Sequence, residues 1–402
     1  MKSERGAYLV KGVSELYTPF ERLESAAFVV EDGRFAWVGR EDELPEQYSD
    51  VPPVQLGGRG VLPGFVDSHT HLVWDGSRVA EYVARSRGAD YEELLEAGGG
   101  IHATVAATRE ASEERLLSLA RRRARSFVRG GVTTLEVKSG YGLTTADELK
   151  QLRVARRLGE ERSQRVTTTL LAHLPDPQMD RAQYVERFAT ETIPEAARSG
   201  LADAFDVFVD RGGFEVDEAR RLYEAAMAEG LPIKGHVEQL TRTGGARLLA
   251  ELGALSADHL ERATESDLVA LAEAGVVATV LPGAAALLAA GLPSARTFRS
   301  SGVKVAIASD HNPGSSPLYS LLPALQLATA VYGFNVLEVL IGATAHAADA
   351  LGRPELGRVQ AGAVADYLVV DGSEALLPLY AWGSPHLTEA VLGGTTVWRR
   401  EV

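Results

Sequence analysis

Along the chain, short runs rich in Val, Leu and Ile alternate with longer stretches in which apolar residues recur every third or fourth position. The runs are Gly60 to Val66, Thr133 to Val137, Thr167 to Leu171, Ala204 to Val209, Pro232 to Gly235, Ala254 to Ala257, Val276 to Leu281 and Val303 to Ala308. Short runs of this composition predict strands buried on both faces. Helical stretches between successive runs require crossover connections, and therefore parallel strands. Eight such strands predict an α/β fold closed into a (β/α)8 TIM-like barrel.

The clearest helix is Glu113 to Arg129, where Leu116, Ala120, Ala124, Phe127 and Val128 share one face and Gly130-Gly131 supplies the stop. Its Arg121-Arg122-Arg123 and Arg125 read as the solvated outer face of a barrel helix. Val276 to Leu292 carries no charge, but it is too short to span a membrane and Pro282-Gly283 breaks it. A buried strand followed by a buried helix is expected there.

The two ends follow another pattern. Ala7 to Val10, Ala26 to Val30 and Phe35 to Val38 read as short strands, with a turn at Asp32-Gly33. Asp366 to Val370 and Gly394 to Arg399 repeat the style near the C-terminus, so the ends are expected to pair into one sheet domain.

Composition narrows the function. A chain of 402 residues accommodates a barrel and a smaller unit. Its net charge of -14 argues against binding a phosphate backbone, which draws affinity from clustered Lys and Arg. With no cysteine there are no disulfides or thiolate ligands, so any metal must be held by imidazole and carboxylate. Met1 to Gly6 leads into a strand-like segment without an apolar signal region, so the cytoplasm is expected.

Active sites of such barrels assemble where the strands end. Here the runs lead into Asp67-Ser68-His69-Thr70-His71, Lys138-Ser139-Gly140-Tyr141, His173, Asp210, His236, Asp258-His259 and Asp310-His311-Asn312. In extended backbone His69 and His71 point the same way. With His236, His259 and Asp310 they bring four imidazoles and a carboxylate to one rim, a donor set that suits zinc or ferrous iron. A metal so held supplies a water acidic enough to attack at neutral pH, which points to hydrolysis or deamination, and Asp310 is placed to take that water's proton.

The segment Leu62-Pro63-Gly64-Phe65-Val66-Asp67-Ser68-His69-Thr70-His71 resembles the metal-dependent amidohydrolase superfamily, and the resemblance runs the length of the chain. Gly76-Ser77-Arg78, Gly98-Gly99-Gly100-Ile101, Glu136 to Leu143 and Asn312-Pro313-Gly314-Ser315-Ser316-Pro317 are similar to its imidazolonepropionase family. The resemblance implies a composite β-sandwich from 1–60 and 353–402 and a catalytic barrel from 61–352. It implies one divalent ion, zinc or iron, on His69, His71, His236 and Asp310. Dinuclear relatives carry a modified lysine at the end of strand four, where this chain has Asp210; that favours a single ion.

By the same resemblance the reaction is hydrolysis of the cyclic amide of 4-imidazolone-5-propanoate to N-formimidoyl-L-glutamate, in histidine degradation, by a metal-activated water. Arg78, Tyr141, His173, Gln239, Asn312, Gly314 and Ser315 would line the substrate pocket. Arg78 suits the propionate because a guanidinium binds carboxylate bidentately. His259 is expected to steady the developing oxyanion. Gln239 stands where some relatives carry a glutamate; an amide can position substrate or water but cannot serve as a base. A homodimer is implied by the resemblance alone. The competing expectation on the same scaffold is a ring aminohydrolase, which does not require the tail-binding pair Arg78 and Tyr141. A non-catalytic metal-binding scaffold is disfavoured, since it has no use for so many costly polar groups beside a core.

Overall fold

The computed structural model describes residues 6–88 and 100–401; Gly98 and Gly99 of the triple-glycine motif lie outside them. Four strands open the chain, Tyr8–Tyr17 (β1), Arg22–Glu31 (β2), Arg34–Arg40 (β3) and Pro53–Pro63 (β4). Asp32 and Gly33, at φ 49° and 76°, turn β2 into β3 with the positive dihedrals a two-residue hairpin requires. Three strands from the other end, Tyr367–Val370, Leu387–Leu392 and Thr395–Arg399, complete a seven-stranded sheet by pairing Tyr367 with Pro63.

The barrel strands are Phe65–Asp67 (β5), Val132–Lys138 (β6), Arg165–Ala172 (β7), Ala204–Val209 (β8), Ile233–Val237 (β9), Ser256–His259 (β10), Val277–Val280 (β11) and Val305–Ile307 (β12). Each is parallel to the next. The ring closes just beyond β5 and β12, where the Asp310 N–H donates to His69 O at 3.0 Å and the His71 N–H to His311 O at 2.9 Å. Closure therefore runs through the candidate site.

Two strand boundaries differ from the hydrophobic pattern for physical reasons. The expected run Gly60 to Val66 is divided at Gly64, between β4 and β5. A Cβ there would collide with the Thr133 side chain, and the Gly64 N–H donates to Asp366 O at 3.0 Å, so glycine hands the chain from one sheet to the other. In the second case β9 and β10 extend past their apolar runs to include His236 and His259. Ladder pairing of Asp258 with His236 and of His259 with Val237 decides this, and hydropathy cannot see it.

The Glu113–Arg129 helix packs Leu116, Ala120, Ala124 and Phe127 onto the barrel as expected. Arg123 departs from the solvated face read from sequence: it is 4% exposed. Its guanidinium lies 3.5 Å from the centroid of Trp74 and donates to the carbonyls of Leu72 and Trp74, which satisfies the charge. Val276 to Leu292 forms a strand and the helix Pro282–Leu287. Among the described residues no helix is long and apolar enough to cross a membrane.

Candidate active site

His69 and His71 leave β5 side by side, both buried, while Thr70 between them turns its hydroxyl to the Glu136 carbonyl. His69 Nε2 and His71 Nε2 each lie 3.5 Å from Asp310 Oδ1. His236 Nε2, arriving from β9, is 3.4 Å from His71 Nε2. His259 completes the cluster, its ring 5.4 Å from that of His236 and 5.7 Å from that of His69. Two sets of donor atoms lie within 4.8 Å of one another, His69 with His71 and Asp310, and His69 with His236 and His259. Glu238, His259 and Asp310 all hold positive φ (56°, 83° and 51°) at the strand ends beside the cluster. Such backbone in non-glycine residues costs about 1–3 kcal/mol each and persists only where the surroundings impose it.

Carboxylates behind the rings set their orientation. His69 Nδ1 lies 2.7 Å from Asp258 Oδ2 and His236 Nδ1 lies 3.0 Å from Asp206 Oδ1. A carboxylate accepts, so both rings donate from Nδ1 and turn Nε2 to the cluster. Lys138 Nζ is 2.6 Å from Asp206 and 2.9 Å from Glu136, and Lys234 Nζ is 2.7 Å from the other oxygen of Glu136. All five charged side chains are wholly buried. Burial would discharge Lys138, but Asp206, Glu136 and Asp258 outweigh it and hold the ammonium above the usual lysine range. Burial, with the cation of Lys138 nearby, pushes His69 and His236 well below the usual imidazole range. Burial also opposes the charged form of His259, yet Glu261, 3.2 Å from its Nδ1, raises it to about 8.

Asp210, at the end of β8, faces away from this cluster. Its carboxylate accepts from the N–H groups of Gln239, Leu240 and Thr241 at 2.8, 2.8 and 3.0 Å and so shapes the loop after β9. Glu238 is likewise committed, accepting from the N–H groups of Thr243 and Gly244 at the start of the next helix. Gln239 itself is half-buried, its side chain bonded to no described residue.

Arg78 reaches the same mouth. One Nη lies 2.5 Å from Glu81, the other donates to Thr104 at 3.3 Å, and Nε is buried without a partner among the described residues. A Cβ on Gly314 would stand 3.4 Å from Arg78 Nη1, so this loop lies directly against the guanidinium. Tyr141 is buried between His71 and His173, ring centroids 5.9 and 5.7 Å away. Burial and the neighbouring Asp310 raise its phenol above the usual range and keep it a donor. His173 stacks on His71 at 5.7 Å. Asn312 folds the loop from within: its Oδ1 accepts from the N–H groups of Gly314 and Ser315, both at 2.8 Å, and its Nδ2 donates to Asp310 O and to Ser315 Oγ. Ser315 Oγ in turn donates to Asp310 Oδ2 at 3.4 Å.

The remaining histidines stay apart. His311 turns away from the cluster, its Nδ1 against Leu318 O and its ring against Phe127. His346 lies against Val305 O, and His102 is exposed on the helix Ile101–Glu110.

With the geometry described, known proteins can be compared. The amidohydrolase family's sequence profile matches residues 61–396. The chain belongs to the amidohydrolase family. It is a hydrolase of carbon–nitrogen bonds. Curated imidazolonepropionases are similar to it over most of its length: that of Ectopseudomonas mendocina is 46% identical over 94% of both chains. That of Cupriavidus taiwanensis is 47% identical over 87% of this chain and 85% of the relative. Among solved structures, an adenosine deaminase from Xanthomonas campestris with bound zinc superposes with a TM-score of 0.72 at 19% identity, over 97% of this chain and 92% of that one. A triazine hydrolase from Arthrobacter aurescens gives 0.77 at 18%, over 98% and 94%. At such identities the structures attest the fold.

The amidohydrolase family is metal-dependent, and this member's donor set fits a cation. His69 Nε2 is buried with no hydrogen-bond partner among the described residues, while its other nitrogen is locked to Asp258. A bare buried imidazole nitrogen facing a carboxylate and two further rings is a ligand set in waiting. Sequence reasoning missed the orienting residues. Asp206 left a legible signal, a lone carboxylate inside the apolar run Ala-Phe-Asp-Val-Phe-Val, which burial on both faces obliges to find a partner. Glu148 left none. Its carboxylate gathers the N–H groups of Gly140, Gly142 and Leu143 at 2.6, 2.8 and 2.7 Å and so presents Tyr141, a task set by the fold of that loop.

Proposed function

We propose that this amidohydrolase opens the ring amide of 4-imidazolone-5-propanoate, giving N-formimidoyl-L-glutamate, with His69, His71, His236 and Asp310 holding one divalent ion, zinc or iron. The observation that carries the reading is the meeting at one barrel mouth of this imidazole and carboxylate cluster with Arg78, whose Nε has no partner among the described residues. A ring amide with an anionic tail matches both halves, and the name shared by the relatives at 46–47% identity supplies the substrate. Bound there, the cation supplies polarisation of the amide carbonyl and a water acidified to about neutral pKa.

The protein's own groups do the rest. Arg78 and the Tyr141 hydroxyl grip the propionate and fix the ring against the cluster. Asp310 accepts the proton of the attacking water and returns it to the departing ring nitrogen; Ser315, bonded to the same carboxylate, orients it. His259, steadied by Glu261, donates to the oxygen on which charge develops. His173, Asn312 and Gly314 shape the pocket, and Gln239 orients substrate or water through its amide.

The test is to mix freshly generated 4-imidazolone-5-propanoate with metal-loaded protein and follow ring absorbance and ammonia together. Metal-dependent loss of the ring, with formimidoyl-glutamate formed and no ammonia, is expected. Ammonia release would move the reading to a ring aminohydrolase, and a rate equal to spontaneous decay would overturn it.

A further inference from the structure

Five charged side chains lie inside the barrel beneath the site, fully buried, and the catalytic reading makes no use of them: Glu136, Lys138, Asp206, Lys234 and Asp258. Burying so many charges is expensive unless each is paired, and replacing such a group by apolar residues is often neutral or stabilising. A barrel interior needs filling, and apolar side chains fill it more cheaply. The arrangement therefore points to a task beyond packing.

Lys138 stands at its centre. Its Nζ is 2.6 Å from Asp206 Oδ2 and 3.6 Å from Asp258 Oδ2. Asp206 turns its other oxygen, Oδ1, to His236, 3.0 Å from Nδ1 and 3.2 Å from the backbone N–H. Asp258 Oδ2 lies 2.7 Å from His69 Nδ1, and its Oδ1 accepts from Ser256 at 2.5 Å. Two imidazoles that reach the cluster from opposite strands, β5 and β9, are thus oriented by two carboxylates that share one ammonium. Lys234 also pairs with Asp258, at 3.9 Å, but its bonds go to Glu136 and Ser68 O and none to Asp206, so among the described residues it is Lys138 that reaches both carboxylates.

We infer that Lys138 is a positioning residue for the metal site, holding Asp206 and Asp258 so that His236 and His69 both donate from Nδ1 and offer Nε2. The inference rests on the metal-site reading above. Without the ammonium Asp206 loses its hydrogen-bond donor and Asp258 an ion-pair partner at 3.6 Å, so both carboxylates are freer to turn away from the rings whose tautomer they fix. Loss of an outer partner of a ligating histidine weakens metal binding about 10- to 100-fold.

The experiment uses the whole chain labelled with 15N-histidine, first metal-free for the tautomers and then in chelator competition for zinc affinity. In the parent, both His69 and His236 are expected as Nδ1–H tautomers. Asp258→Asn should disturb His69 alone and Asp206→Asn His236 alone, whereas Lys138→Met should disturb both and lower zinc affinity about 10-fold or more. Because a lone Lys138→Met leaves a buried charge unpaired, Lys138→Met combined with Glu136→Gln removes one charge of each sign and keeps Asp206 and Asp258. A folded variant of either kind with both tautomers intact and zinc affinity within twofold of the parent's overturns the inference. Should neither fold, the parent spectrum decides: Nδ1–H on both rings supports the role, and Nε2–H on either ring overturns it. A parent that takes up no zinc instead overturns the metal reading on which the role rests.

Discussion

Arg78 shows how little separates a structural cation from a binding one. It already holds one Nη against Glu81, so the charge is satisfied without a ligand, but Nε is left over among the described residues. Arg78→Lys keeps the charge and loses the planar fork, so KM for 4-imidazolone-5-propanoate should rise about tenfold or more, the worth of one charge-assisted hydrogen bond, with a smaller change in kcat. Steady-state kinetics check this, and an unchanged KM would remove Arg78 from the tail site. His259 is expected to behave in the opposite way. A donor to a developing oxyanion acts in the transition state, so His259→Ala should lower kcat about 100-fold or more while KM moves little. A variant with parental kcat would show His259 to be a packing residue.

At the scale of elements, side chains at helix starts organise loops near the site. Asp267 in the helix Glu265–Glu273 closes a capping box with Thr264 and receives both Arg242 and Arg247 at 2.9 Å. Arg242 follows the loop that carries Gln239, so the cap ties that loop to the next helix. Burial alone would raise the Asp267 carboxyl, but Arg242, Thr264 and Arg247 together hold it well below the usual carboxylate range. The sign follows: a depressed carboxylate stabilises the fold above its unfolded pKa of about 4 and loses that contribution as pH falls through the folded value. Asp267→Asn should therefore lower the melting temperature at pH 7, by about 1 kcal/mol of stability for a lost cap, and the gap to the parent should narrow as pH falls below 4. Melting curves at several pH values test it; a gap independent of pH would assign the effect to packing.

Over the whole molecule, the barrel and the terminal sheet are joined rather than merely tethered. Gly131 leaves room for Leu368 and Leu387 of the terminal sheet against Phe65 of the barrel, within one continuous core. The barrel's other closure is polar, made where Asp310 and His71 bond across the seam beside the cluster. A metal held as proposed by His69, His71, His236 and Asp310 would join β5, β9 and the residues after β12. Chelation should then lower the melting temperature and zinc should restore it, a ligand at 100 times its Kd contributing about 2.7 kcal/mol. A melting curve indifferent to chelator and zinc would count against a metal spanning that seam.

The barrel itself was legible in the alternation of apolar runs and helical stretches, because strands buried on both faces are rich in Val, Leu and Ile even where, as here, they also carry buried charges. So was the cluster: His69 and His71 declare a shared direction by their spacing, and a polar residue after each run is conspicuous. What distance along the chain concealed was decided by the fold. Arg123 was read as solvated because its helix pattern says nothing of Trp74, 49 residues away, whose ring and carbonyl receive it. Asp258 and His69 are 189 positions apart, and only closure of the barrel brings them to 2.7 Å. Periodicity reports which face of an element is buried. Which buried charge answers which is settled by the ring of strands, where Lys138 meets two carboxylates from two other strands and their histidines fall into place.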